Sequence, residues 1–490
     1  MLHLVGRGGN AMVTVVRNTD WAVVWNGAQG CHEYARGIDI AFDASGILFA
    51  GKSYDGPVTQ EIDGSERLAL PGMVNIHTHP TSEPLRKGMT DETLSPGFWH
   101  SSLYEFLTTI GNDPEGMRAA VQVAMAELML SGVTTVVDLS VPFEGWLDIL
   151  ADSGLRACIA PMFRDARWLT KDGHSLEYEW DHQAGRQAFD AAMRLVESAR
   201  QHPSGRLSGM VTPSQIDTCS ADLLRDAHDH ATERNLPFQI HCAQSMTEFQ
   251  EMQRRHGMTP VQWLDEVGAL DERSIIGHGI FLDHHPWVHW PTRIDLGLLA
   301  EKGATVAHCP TVFGKRGINL RSFGEYKRNG INLGIGTDTY PHNFIEEMRN
   351  AVYLARAAAG RLDDTFASDV FEAATIGGSK ALRRDDIGRL SVGAKADVVL
   401  VDVSDRSMRP LYDPLRSLIF VAGERPIKDV FVNGDAIVRD GECLTIDLEA
   451  ATQALQEAQK RAAALTSERD WAGRTISELA PLSFPMSGSS

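Results

Sequence analysis

From Leu70 onward the chain alternates two textures. An apolar stretch with helical spacing ends at a Gly or Asn, and a short run rich in Val, Ile and other apolar residues follows. The segments A-E-L-M-L-S-G-V-T-T-V-V-D, A-T-E-R-N-L-P-F-Q-I-H, L-A-E-K-G-A-T-V-A-H-C-P and Y-K-R-N-G-I-N-L-G-I-G-T-D each read as helix end, turn and strand. Eight strand-like runs can be placed: Met73 to Ile76, Thr134 to Val137, Ala157 to Met162, Met210 to Thr212, Phe238 to Ile240, Ser274 to Ile276, Thr305 to Ala307 and Leu333 to Ile335. They are apolar at successive positions, as strands covered on both faces are. Such repeating units predict an α/β protein built on a closed parallel (β/α)8 TIM barrel. An open doubly wound sheet is the weaker alternative, because no Gly-rich phosphate fingerprint opens the first strand–helix turn.

The ends of the chain have a different pattern. Before the barrel, Val13 to Val16, Ala22 to Val24, Ile38 to Ala41 and Ile47 to Phe49 are short β-like segments broken by Gly, Asn and Asp. Leu390 to Val403 and Lys428 to Arg439 return to that texture. The expected organisation is a small composite β-sandwich from both termini (residues 1–67 and 389–445), a barrel over 68–388, and a C-terminal helix and tail over 446–490.

Most barrel runs stop at a polar residue that can do chemistry. His77, His79, Asp138, His241, His278, Cys309 and Asp338 all fall at strand ends, and barrel enzymes place their chemistry at the C-terminal rim. In P-G-M-V-N-I-H-T-H-P, His77 and His79 are two residues apart, so both imidazoles leave the strand on one side and can share one metal ion. Two histidines at a surface strand end would look the same in isolation. His241, His278 and Asp338 at other strand ends make that reading the weaker one. Cys309 has no base defined beside it in the sequence and is given no catalytic role.

On these motifs the chain resembles the amidohydrolase superfamily, in the branch that holds cytosine deaminase and the triazine hydrolases such as atrazine chlorohydrolase. The matching segments are P-G-M-V-N-I-H-T-H, G-V-T-T-V-V-D, F-Q-I-H-C-A-Q, I-I-G-H-G, V-A-H-C-P, L-G-I-G-T-D and L-S-V-G-A-K-A-D-V-V-L-V-D. The resemblance implies that His77, His79, His241 and Asp338 bind one divalent ion. It also implies that Asp338 takes the proton of the attacking water and that His278 orients that water or the substrate. Two-metal relatives carry a bridging lysine at the end of strand four, where this chain reads S-G-M-V-T-P-S-Q-I-D, so a mononuclear site is expected. Zinc is the default ion for three imidazoles and a carboxylate, with iron or another transition metal as the alternative.

The departures from the resemblance concern the substrate. Deaminases of this branch have a glutamate three residues after the histidine of strand five; here that position is Gln244, which hydrogen-bonds but carries no proton to give. Two readings follow: amine removal from an N-heterocycle, or cleavage of an amide, urea or carbamate, with hydrolytic dechlorination third. Trp99, Gln215, Phe313 and Asn343 are candidate substrate contacts together with Gln244, in a pocket for a small aromatic or N-alkyl molecule. The stretch with His284, His285, His289, Trp287 and Trp290 is expected to be a solvated loop.

Composition narrows the partners. With 46 Lys and Arg against 65 Asp and Glu, the formal charge of −19 disfavours nucleic acid and anionic membranes. Six cysteines without paired spacing fit a reducing compartment. No signal-like N-terminus or membrane-length apolar run is present in the sequence, so a soluble cytoplasmic enzyme is expected. A homo-oligomer, a dimer or larger, is the expected assembly. A scaffold without activity is disfavoured because every candidate ligand persists, and a metal storage protein because Cys/His-rich tracts are lacking.

Overall fold

A computed structural model describes residues 12–92, 98, 102–423 and 426–487. The protein is mixed α/β, with two four-stranded sheets that are entirely parallel. The first contains β1 (Met73–Thr78), β2 (Val133–Asp138), β3 (Arg156–Ile159) and β4 (Leu207–Gly209), side by side in that order. The second contains β5 (Phe238–Cys242), β6 (Ser274–His278), β7 (Thr305–His308) and β8 (Asn332–Ile335). Parallel bridges connect the two: Val211 with Phe238 and Gln215 with His241 at one junction, Thr78 with Asp338 at the other. Every residue of β1, β2, β5 and β6 is buried, which accounts for their unbroken apolar runs.

Two strand boundaries differ from the sequence reading. The run from Ala157 to Met162 is not one strand: β3 stops at Ile159, and Met162–Phe163 forms a separate short pairing with Thr212–Pro213. Pro161 lies at the break, and proline has no N–H to give to a ladder. The expected strand from Met210 to Thr212 is likewise displaced, its regular ladder being Leu207–Gly209.

The two ends of the chain meet in a seven-stranded sheet. Val398–Asp402 runs antiparallel to Arg67–Pro71, pairing Leu400 with Ala69, and Ile427–Val432 continues the sheet beyond it. A second sheet carries Thr14–Thr19, Ile38–Asp43, Gly46–Gly51 and Gln60–Asp63. Ile40, Phe42, Ala69, Leu400 and Phe431 share one apolar cluster, with the rings of Phe42 and Phe431 5.0 Å apart. A buried ion pair from Arg156, the first residue of β3, to Asp397 ties these sheets to the parallel ones.

The C-terminal helix Leu448–Ala464 packs on the helix Pro114–Met129, and Arg461 bonds to Asp113, the residue that caps that helix. Further on, Trp471 and Arg474 donate to Glu105 on the helix Leu103–Thr109. The stretch after β6 is not a solvated loop. Asp283 accepts from Thr292 and from the Ile294 N–H, and His285 is buried with its ring 4.7 Å from Phe281. Among the described residues no helix is long and apolar enough to cross a membrane.

Candidate metal centre and active-site cavity

The polar ends of β1, β5, β6 and β8 converge. His77 and His79 leave β1 together, His241 comes from β5, His278 ends β6, and Asp338 follows β8. Close packing makes this convergence physically possible. A Cβ at Gly336 would lie 2.6 Å from that of His77, and one at Gly277 would crowd the Cε1 atom of His77, so glycine at both positions lets the strands approach. His278 and Asp338 both have positive φ, at 85° and 58°, a conformation that non-glycine residues adopt at a cost and that clusters at functional sites.

The outer nitrogens of His77, His79 and His241 are all tied down. His79 Nδ1 donates to the Leu139 carbonyl at 2.8 Å and His241 Nδ1 to the Ser214 carbonyl at 2.6 Å. His77 Nδ1 donates to Gln239 Oε1 at 2.5 Å; Gln239 is itself oriented by giving its amide N–H to the Ile76 carbonyl. Because these oxygens accept, each ring turns an unprotonated Nε2 inward. The Nε2 atoms of His79 and His241 are 3.1 Å apart, and His77 Nε2 is buried without a hydrogen-bond partner. Asp338 Oδ1 lies 3.2 Å from His79 Nε2 and 3.6 Å from His77 Nε2. Three lone pairs and a carboxylate oxygen aimed at one point repel one another unless a cation lies between them, so the residues fit a divalent ion.

Electrostatics favour the ligating forms of His241 and Asp338; at His79 burial lowers the pKa but the contact with Asp338 outweighs it and raises it. Burial drives His241 and His278 well below the ordinary imidazole range, and the adjacent imidazoles push His241 further down. Asp338 is held well below the usual carboxylate range: burial opposes this, but the His77 and His79 contacts and the nearby His278 outweigh it. His77, His278 and Cys309 also lie close enough to be a ligand group. Burial, reinforced by Asp338, pushes the Cys309 thiol well up, which leaves it a poor donor beside the imidazoles.

A cavity of about 460 Å³ opens over this centre. His278 faces into it with Nε2 3.9 Å from Asp338 Oδ2, and its ring meets the edge of Phe313 at 4.6 Å. Gln244 and Gln215 line the cavity, and the buried Gln244 Nε2 lies beside the Glu248 carboxyl without a well-formed hydrogen bond to it. Asn343 does not line it. Its side chain caps the helix Phe344–Ala359 by accepting from the Glu346 N–H, so the proposed substrate contact is a structural cap. Trp99 lies outside the described residues, and Phe98 packs on Tyr104 and Trp168 instead of the cavity.

Sequence reasoning missed several residues. Gln239 was signalled by a polar residue inside the apolar run F-Q-I-H, two places before His241. Glu83 and Arg86, paired with each other on the turn Glu83–Arg86, line the cavity one helical turn after His79, and Arg164 and Arg316 line other parts of the wall. Only the spacing of Phe313 and Arg316, three residues apart, hinted that both share one face.

The comparisons with known proteins agree with this geometry. Over 444 residues the chain is 29% identical to the 5-methylthioadenosine/S-adenosylhomocysteine deaminase of Pelotomaculum thermopropionicum, covering 88% of this chain and 94% of that one. It is 28% identical to the 5'-deoxyadenosine deaminase of Methanosphaera stadtmanae, over 80% of this chain and 87% of that one. Among solved structures, an adenosine deaminase from Xanthomonas campestris with bound zinc superimposes with a TM-score of 0.77 at 23% identity, covering 92% and 98% of the two chains. Atrazine chlorohydrolase from Arthrobacter aurescens TC1, complexed with zinc, gives 0.76 at 21% identity over 91% and 100%. Those two share the fold, TIM-barrel-like α/β. The amidohydrolase family model matches residues 68–437, and the chain belongs to that family, as a metal-dependent hydrolase of carbon–nitrogen bonds.

Proposed function

We propose that this enzyme hydrolytically removes an amine from a small N-heterocycle, with one zinc ion held by His77, His79, His241 and Asp338. The observation that carries the reading is the set of inward Nε2 atoms, each fixed by an acceptor on its far side, closing on Asp338. The names of the two curated relatives described above, a 5-methylthioadenosine/S-adenosylhomocysteine deaminase and a 5'-deoxyadenosine deaminase, support the amine as leaving group.

A zinc ion so held would bring the pKa of a water to about 7. Asp338, ionised by its surroundings, takes the proton from the attacking water and passes it to the departing amine. His278, kept neutral by burial, faces the cavity beside Asp338 and hydrogen-bonds the developing charge. Gln244 Nε2 donates to the ring nitrogen next to the attacked carbon, where a glutamic acid would protonate it. That same donor favours one second reading: it could equally polarise the carbonyl of an amide, urea or carbamate.

The deciding experiment is a metal-loaded screen scoring amine release from aminopyrimidines, aminopurine nucleosides and amino-triazines beside ureas, carbamates and anilides, with Asp338→Asn as control. Turnover confined to the heterocycles is expected. Turnover confined to carbonyl substrates would replace the first reading with the second, and turnover surviving in the variant would remove both.

The same reading extends to architecture. The eight strands form one closed barrel, for which the bridges at both sheet junctions are the support. The described residues within 1–67 and 389–445 form the companion sandwich, supported by the antiparallel pairing of Val398–Asp402 with Arg67–Pro71.

A further inference from the structure

The charge of the cavity wall opposes that of the chain. The protein carries a formal −19, yet the two carboxylates lining the cavity are both committed: Asp338 to the histidines, Glu83 to Arg86. Arg86 is further occupied by the Ile110 carbonyl. Two other guanidiniums line the cavity, Arg164 and Arg316, and among the described residues neither has an ion-pair partner or a side-chain hydrogen bond. Arg164 is the more solvent-exposed of the two, although burial pulls its pKa down as well. Arg316 is more enclosed. Its guanidinium lies 5.4 Å from the ring centroid of Phe106, and burial pulls its pKa down against the attraction of Asp338 and Glu83. The half-buried guanidinium has no acceptor within the protein among the described residues, so its five N–H donors are free to meet a bound group. The main chain at Arg316 is held close to the reaction centre, because its backbone N–H bonds to the carbonyl of Phe313, whose ring lies against His278.

We infer that the substrate carries a carboxylate-type anionic group, and that Arg316 binds it while the amine-bearing ring reaches His278 and Asp338. This rests on the deaminase reading for the ring but not for the anion. A planar carboxylate matches the fork of a guanidinium and satisfies two of its donors at once. The positive wall inside an acidic protein also concentrates an anion where the rest of the surface repels it. Arg316 is thus a specificity residue, acting on binding and placement of the substrate.

The test compares an aminopyrimidine carboxylate with its matching carboxamide, in turnover by the zinc-loaded enzyme and in calorimetric binding of the two oxo products. Wild type should prefer the carboxylate by at least tenfold in both readouts. Arg316→Gln should erase the preference, Arg316→Lys should keep part of it, and Arg164→Gln should leave most of it; melting temperatures verify folding. Equal binding of both products by wild type would overturn the inference while leaving deamination intact if both amines are released. A preference that survives in Arg316→Gln and vanishes in Arg164→Gln would overturn the assignment to Arg316. Carboxylate-selective binding without release of either amine would keep the anion site and sink the deaminase reading instead.

Discussion

The floor and the wall of the cavity are built by different rules. On the floor, every ligating imidazole comes from a buried strand end and is anchored on its far side: His77 by Gln239, His79 by the Leu139 carbonyl, His241 by the Ser214 carbonyl. On the wall, Gln244, Arg164 and Arg316 come from the segments after the strands, and among the described residues the two guanidiniums have no acceptor. A floor whose groups satisfy each other around an ion serves one reaction step whatever the substrate; a wall left unsatisfied is completed by the molecule that binds. The contrast teaches that reaction class and substrate are encoded separately in this chain, and mutations should separate them.

The largest effect belongs to the floor. Asp338→Asn preserves size but cannot accept the water's proton, so kcat should fall by about 10²–10⁴ for every substrate alike. Steady-state rates across two unrelated substrates check this. A loss on one and not the other would place Asp338 with the wall and break the distinction.

Gln244→Glu should change the wall alone, and upward. The new carboxyl would sit where burial and Asp217 already push Glu248, an acceptor of the Gln244 N–H, well above the carboxylate range. It would therefore be a protonated acid near neutrality. Heterocycle amine release is expected to rise on the order of 10², with a new limb in the pH–rate profile. The acid works only when protonated, so the gain must be present at low pH and disappear as pH rises through the raised pKa. A flat profile with no gain would mean the heterocycle receives its proton elsewhere.

Much of the floor was legible because its residues mark where apolar runs stop. His77, His79, His241, His278 and Asp338 stand out by type and position, and the structure brings all five together. Their anchors were not legible in two of three cases, because Leu139 and Ser214 act through backbone carbonyls, which side-chain identity does not report. The wall was less legible still. Arg316 gains its meaning from Phe106, over two hundred residues away in sequence, and Asn343 proved to cap a helix, a local use that competes with any ligand contact. For the fold, the eight-run pattern placed the strands; the break at Pro161 and the short β4 depend on pairings made across the sheet.

Gln239→Leu sharpens the comparison from below the floor. It removes the acceptor of His77 Nδ1 without touching a ligand, and outer partners of this kind are typically worth about 10–100-fold in metal affinity. Competition against a chelator should show that loss, while kcat of the fully loaded variant stays within a few-fold of wild type. An unchanged affinity would show that the strand, not its anchors, orients the imidazole.

The smallest expected effect lies where floor and wall touch. The Phe313 ring meets His278 edge-on at 4.6 Å, at an interplanar angle of 64°, and also lines the cavity. Phe313→Leu keeps an apolar side chain but removes the aromatic face, a contact of about 0.5–1.5 kcal/mol, or roughly two- to tenfold in rate or binding. Its partition is informative. If the ring mainly orients His278, kcat should drop equally for all substrates and KM should stay fixed; if it mainly packs against the substrate, KM should rise for aromatic substrates and be unchanged for small aliphatic ones. Because Phe313 and Arg316 both line the cavity, the second outcome would join Phe313 to the wall.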